Sequence, residues 1–553
     1  MLRRHSQRVR HAGLALSAVL ACTTISLTAP QAVAAPTPPG LLAKQDPTTF
    51  TLTDTLTALR THRVTAVELL EAYLERIETY DRNYNAFTQM NPDAMAEAKA
   101  SDERRTHAKK DVGPLDGVPV VIKDSLDVAG MPTTSGWALT SPIADGVALV
   151  PEKDSAVVSR LREAGAVIVG KTNLPVLAGS GSNANNSAYG PTFNALNQEW
   201  APGGSSSGSA TSVAADFAPA GIAEETGGSI QNPASAQSLY AVKPTFGLVP
   251  NTGNFPLAGN TRDVLGPLVK SPEDAALMLD VMAGEHEDDP KTDGAVVPDG
   301  GYTSALSPRA LDGARIGLYG PGWRSGEDGE LSPETAALYD RAVAKLEAQG
   351  ATVVADPFAG SGFADIAEVG DGGYDDRGSV GNAHAIEEYL QGLGDTSPVG
   401  SIEELDAWAD ENGFADDERI DEMVEKLATE PEVDEEFVRA SRQYQRVFAR
   451  VMKARDLDAL VFPQQLEEIP GIYDGEIEAS TVSEINIAGL PGVVVPDGTY
   501  RSGKPFNLIF VDEKWSEAEL LGYAYDYAEA YGGRTVNRDL SHTPGPERPS
   551  MQD

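Results

Sequence analysis

Two serine–glycine stretches and one lysine could do chemistry together. "APGGSSSGSATS", Ala201 to Ser212, reads by composition as a flexible linker, and Ser229 in "EETGGSIQNPAS" follows Ser205 by 24 residues. A tether should lead into polar coil or a fresh domain start. Here "GSATSVAADFAPAGIAEET" places small and apolar residues at helical spacing instead, which predicts a tightly packed, buried helix. Glycines feeding such a helix mark backbone that must approach something closely.

A serine hydroxyl is a poor nucleophile until a base takes its proton. Histidine is the usual base, but the five beyond residue 34 (His62, His107, His286, His384 and His542) sit in no recognisable motif. A lysine serves where burial disfavours its ammonium form. Lys123 ends the apolar run of "GVPVVIKDSLDV", read as a buried strand. Taken alone it would be a strand-end lysine paired with a neighbour such as Asp124; the two serines turn the reading to catalysis. At "TGGS", Gly227 and Gly228 leave the amides before Ser229 uncovered, and a row of N–H groups is suited to an oxyanion. Removing one such donor typically costs about 10² to 10³ in rate.

"GPLDGVPVVIKDSLDVAGMPTTSG", "VGKTNLPVLAGSGSNANNSAYGPTFN", "PGGSSSGSA" and "EETGGSIQNPASAQSLYAVKPTFGLVP" resemble, in order, the amidase signature family, and "INIAGLPGVVVP" resembles its C-terminal core. The resemblance covers roughly 45–285 and 455–533. It implies an α/β fold with a mixed, mostly parallel central sheet covered by helices on both faces. It also implies a Ser-Ser-Lys triad: Ser229 as nucleophile, Ser205 as the bridging serine on a cis peptide bond, and Lys123 as general base. The N–H groups of Thr226, Gly227, Gly228 and Ser229 would hold the oxyanion. Ser206 and Gln231 are candidates for the relay or for substrate contact. The activity implied is amide hydrolysis through an acyl-enzyme, on a small-molecule amide, with no metal and no organic cofactor.

The family often has Asp-Thr-Gly-Gly-Ser-Ile-Arg where this chain has Glu225-Thr226-Gly227-Gly228-Ser229-Ile230-Gln231. Gln231 removes a fixed positive charge near the nucleophile, which argues against substrates that need a carboxylate clamp there. The resemblance extends to the amidotransferase component that serves glutamine-charged tRNA, and a non-catalytic binding protein on the same fold is the further rival. "GSSSG", Gly204 to Gly208, also fits the nucleophile elbow G-x-S-x-G, but "NQEWAPGG" before it is no strand. "EHEDDPKTDG" and "GDGGYDDRG" lack regular calcium-ligand spacing and read as solvated loops. Tyr374, Tyr389 and Trp408 are candidates for an acyl pocket or for core packing.

The elements that must position these residues are partly legible. Thr65 and Glu68 form a capping box before a helix-period run through Ile77. "DSAVVSRLREAGAVIVGKTN" reads as helix, Gly165, then strand, and such alternation predicts an α/β sheet. "LDALVFP" and "LPGVVVPDG" read as strands, and "SEAELLGYAYDYAEAYG" as a helix from Ser516 to Gly532. About 285–460 is rich first in Gly, Asp and Pro, then in charged helix with Ser401 and Glu404 as a second capping box. It is expected to be an insertion that shapes the substrate pocket.

The 553-residue chain is 41 % hydrophobic and 23 % charged, ordinary globular composition. Arg3, Arg4, Arg8 and Arg10, an apolar "GLALSAVLA" and a small-residue "AVA" at Ala32 to Ala34 make a secretory signal pattern, so residues 1–34 are expected to be removed near Ala34 and 35–553 to form the amidase domain. Arg3-Arg4 is a weak twin-arginine hint, and "VLAC" a weak lipoprotein-like site. Cys22 is the only cysteine, so the mature chain would hold no thiol nucleophile and no zinc–thiolate site. No later run of 18 apolar residues exists, so no membrane span is expected. The net charge of −40 repels nucleic acid and anionic membranes. The expected location is extracellular.

Overall fold

The computed structural model describes residues 46–540, apart from 108–111, 183–185, 327–328, 369–373 and 538. Residues 1–34, expected to be a signal segment and including Cys22, and His542 lie outside the described residues. Eleven strands form one sheet: β1 Phe87–Met90, β2 Pro119–Lys123, β3 Val167–Thr172, β4 Ala220–Glu225, β5 Tyr240–Lys243, β6 Val264–Val269, β7 Arg315–Leu318, β8 Thr352–Val354, β9 Ala459–Pro463, β10 Gly492–Thr499 and β11 Pro505–Val511. Their order across the sheet is β1-β3-β2-β4-β6-β5-β10-β11-β9-β7-β8. Every residue of β2, β3, β4, β5, β6, β9 and β11 is buried. Successive side chains of a strand point to opposite faces, so both faces of the sheet are covered.

The sheet is mixed, as expected, but not mostly parallel. β2 is parallel to β3 and β4, and β7 to β8 and β9. The other six neighbour pairs are antiparallel. β6 lies between β4 and β5 and runs against both. β10 and β11 pair antiparallel through a short turn, with Gly503 at φ +89°. The expectation failed because a strand buried on both faces has the same apolar composition whichever way its neighbours run.

Thr65 and Glu68 form the complete capping box, and the helix Ala66–Tyr80 buries Leu69, Leu70, Tyr73 and Ile77. The helix Ala156–Glu163 leads through Gly165, at φ +89°, into β3. Part of 285–460 belongs to the sheet, supplying β7 and β8 at one edge. The helices Asn382–Gly392, Ile402–Asn412 and Glu418–Thr429 bury Ile386, Leu405 and Ile420 in a satellite core with Trp137, Leu139 and Phe255. The helix Glu435–Arg455 brings Tyr444 and Phe448 against an aromatic cluster around Phe363. Among the described residues no helix is long and apolar enough to cross a membrane.

Candidate active site

β2 carries Lys123 at its C-terminal end, with no exposed surface. Burial of this depth has to be compensated by partners. Three surround Nζ: Ser205 Oγ at 2.7 Å, Glu224 Oε2 at 2.6 Å and the Glu224 main-chain oxygen at 3.1 Å. Burial pushes the Lys123 ammonium below the usual lysine value, outweighing the upward pull of the Glu224 carboxylate.

Ser205 reaches Lys123 from the Gly-Ser stretch. The Gly204–Ser205 peptide bond is cis, as the resemblance implied, and Gly203 has φ +72°. A Cβ on Gly203 would lie 2.4 Å from Pro233 Cα, so only glycine permits that approach. The stretch then enters the helix Ser207–Ala214, buried at every residue. This is the first part of the run read as a buried helix; its second part, Ala220–Glu225, is instead the strand β4, because small apolar residues suit a buried strand as well as a packed helix.

β4 runs parallel to β2, with Ile122 opposite Ile222, and this register brings Glu224 beside Lys123. Its last residue, Glu225, accepts from the N–H groups of Ile230 and Gln231, from Gln231 Nε2 and from Asn486 Nδ2. The loop between, Thr226 to Ser229, is thus clamped at both ends by one carboxylate. Gly228 adopts φ +98°. A Cβ on Gly227 would lie 2.5 Å from Tyr374 Cε2, so the Tyr374 ring covers the bare backbone there. Among the described residues, the N–H groups of Gly227, Gly228 and Ser229 donate to no protein acceptor. Such free donors beside a serine hydroxyl suit an oxyanion.

Ser229 lines a cavity of about 330 Å³ together with Thr226 and Gly227. Its apolar wall comes from Leu257, Tyr374, Ile477 and Val482. Glu476 is the only charged side chain among the described lining residues. Arg262 stands behind Tyr374, donating to its hydroxyl at 2.6 Å and to the Asp375 carbonyl at 2.7 Å.

The remaining candidates fall elsewhere. Ser206 Oγ donates to the Glu224 carbonyl at 3.1 Å and accepts from the Glu224 N–H at 3.3 Å, so it fixes β4. Gln231 is buried against Glu225 and is absent from the described cavity lining. Tyr374 lines the cavity, whereas Tyr389 packs on Phe255 and donates to Asp127, and Trp408 packs on Phe414. Sequence reasoning missed Glu224 and the wall residues Leu257, Ile477 and Val482. The first had a faint signal, an acidic pair closing the small and apolar run "AGIAEE". The others lie on segments far apart in the chain.

A fold of this topology with a buried lysine on a serine, next to a glycine-lined serine cavity, defines an amidase-signature enzyme. The Amidase family profile matches residues 68–521, and the chain belongs to that family. It is 32 % identical over 482 residues to a glutamyl-tRNA(Gln) amidotransferase subunit from Thermosynechococcus vestitus, covering 84 % of this chain and 94 % of that one. The peptide amidase from Stenotrophomonas maltophilia is 30 % identical with a TM-score of 0.70, covering 88 % of this chain and 97 % of that one. An amidase family protein from Bacillus anthracis is 27 % identical with a TM-score of 0.72, over 92 % and 94 %.

Proposed function

We propose that this chain is a secreted amidase that hydrolyses a carbon–nitrogen amide bond, outside peptide-chain interiors, through an acyl-enzyme on Ser229. The observation that carries the reading is the fully buried Lys123 amine 2.7 Å from Ser205 Oγ. Neutral Lys123 takes the Ser205 proton as Ser205 takes that of Ser229, and Ser229 Oγ bonds to the amide carbonyl carbon. The N–H groups from Thr226 to Ser229 receive the oxyanion. The tetrahedral intermediate collapses with cleavage of the C–N bond, and the relay returns the proton to the leaving amine. Water, deprotonated by the same relay, then attacks the ester and frees Ser229.

On the substrate side, an apolar wall and the absence of a basic side chain from the described lining favour amides without a carboxylate near the scissile bond. The test is a panel of neutral, carboxylate-bearing and amine-bearing amides, read by released ammonia or amine. Neutral peptide amides or aryl amides are expected to turn over faster than free glutamine; a preference for glutamine overturns this reading.

The second reading, a component of an amidotransferase, is favoured by the Thermosynechococcus relative named above. The signal pattern of residues 1–34 and the net charge of −40 oppose it. Export predicts that protein recovered from the culture medium begins near Ala35; an intact Met1 terminus on all of the active protein contradicts export.

A further inference from the structure

Lys123 Nζ has three polar neighbours, and their chemistry is unequal. Ser205 Oγ both donates and accepts. The Glu224 main-chain oxygen and the Glu224 carboxylate only accept. A neutral amine has two N–H donors and one lone pair. With both acceptors supplied by one residue, at 3.1 and 2.6 Å, the two N–H groups are taken and the lone pair is left facing Ser205 at 2.7 Å.

We propose that Glu224 is a positioning residue of the triad: it aims the Lys123 lone pair at Ser205 and stabilises the ammonium that forms when Lys123 accepts the proton. The part resembles that of the buried aspartate behind the histidine of a serine-protease triad, which orients the base and steadies its cation without taking the proton itself. The inference rests on the amidase reading of Lys123.

The surroundings hold Glu224 to this task. It is 1 % exposed. Its main chain is pinned by Ser206 Oγ on both the N–H and the carbonyl. Its second carboxylate oxygen, Oε1, accepts from Thr226 Oγ1 at 2.9 Å. Thr226 Oγ1 also lies 2.6 Å from Asp263 Oδ1. One hydroxyl hydrogen cannot serve two carboxylates at once. Burial, with the Glu224 charge adding to it, pushes the Asp263 carboxyl up to about 6. The charged groups acting on Lys123 are therefore Glu224 and Glu225 from β4 and Asp263 at the head of β6. On the β3 side, Lys171 is paired with Asp124 at 2.8 Å.

Removing the Glu224 charge makes the ammonium less favourable, so Lys123 becomes a weaker base that is neutral at lower pH. An opposite charge within hydrogen-bond reach shifts a titration by about one to three units. The experiment measures the rate at which a fluorophosphonate labels Ser229, across pH, in the full chain carrying Glu224→Gln, Glu224→Asp or Lys123→Ala. The expected E224Q profile has its acid limb displaced to lower pH by about one unit or more and a plateau lowered by about tenfold or more. The limb staying in place, or moving to higher pH, overturns the proposal. E224D keeps the charge and shortens the reach, so it lowers the plateau while its limb moves less than that of E224Q. If E224Q does not fold, E224D decides alone: a wild-type plateau overturns the positioning role. The Lys123→Ala variant separates the two levels of the argument. Labelling at the wild-type rate in K123A sinks the triad itself; slow labelling in K123A with an unmoved E224Q limb sinks only the role of Glu224.

Discussion

Ser229→Ala is expected to abolish both amide hydrolysis and covalent labelling by a fluorophosphonate, while the protein keeps its fold. The side chain is one hydroxyl, 3 % exposed, at a cavity wall, so its loss removes the reacting atom and little packing. In enzymes that work through a serine acyl intermediate, deleting the nucleophile costs on the order of 10⁶ in kcat, and the free oxyanion donors leave a small residual rate. Mass spectrometry of the labelled wild type places the adduct on the peptide containing Ser229. An adduct on Ser206 would instead favour the nucleophile-elbow reading of "GSSSG", and undiminished turnover in S229A would remove the acyl-enzyme altogether.

Lys123→Ala has the second largest expected effect, a loss of about 10² to 10⁴ in turnover, the usual contribution of a positioned general base. Two things happen in that variant. The proton acceptor for Ser205 disappears, and the buried Glu224 carboxylate loses the Lys123 N–H it accepts. The second is a stability matter, since leaving a buried acceptor without its donor typically costs about 1 to 3 kcal/mol, and more for a charged group. Lys123→Met fills more of the space and serves as the companion variant. Circular dichroism and a thermal melt establish that loss of turnover is chemical. A folded K123M that hydrolyses amides at the wild-type rate would show that Ser205 finds its base elsewhere.

The buried Lys123–Ser205 pair was legible because both residues sit where sequence pattern and chemistry coincide. Lys123 closes a run too apolar for a surface strand, and its amine is buried as that run suggested. The small residues after Ser205 announced a buried helix, and Ser207–Ala214 is one. Glu224 was invisible for the opposite reason. The two adjacent glutamates close a run read as helix and carry no local sign of burial, which follows from β4 lying between β2 and β6, a neighbourhood set by long-range pairing. The cavity wall was illegible on similar grounds: Leu257, Tyr374 and Val482 meet across more than 200 residues of chain and share no local pattern. Local rules succeeded where the partners are local. Thr65 and Glu68 cap each other as read, whereas Glu404 reaches past Ser401 to the N–H of Gly400, so the second box is half formed. Ser516 precedes its helix as expected but donates to the Glu513 carbonyl instead of capping.

The claim on which all of this depends is that Lys123 works as an uncharged amine, and the pH dependence of kcat/KM for wild-type amide hydrolysis tests it most directly. The working form is deprotonated, so activity rises with pH and falls about tenfold per unit below the Lys123 titration. Burial pushes that titration below the ordinary lysine value of 10.5, so the acid limb should lie at lower pH than a free lysine would give. An acid limb below 10.5 that Lys123→Met removes is the predicted result. A profile flat down to about pH 4 would contradict the account.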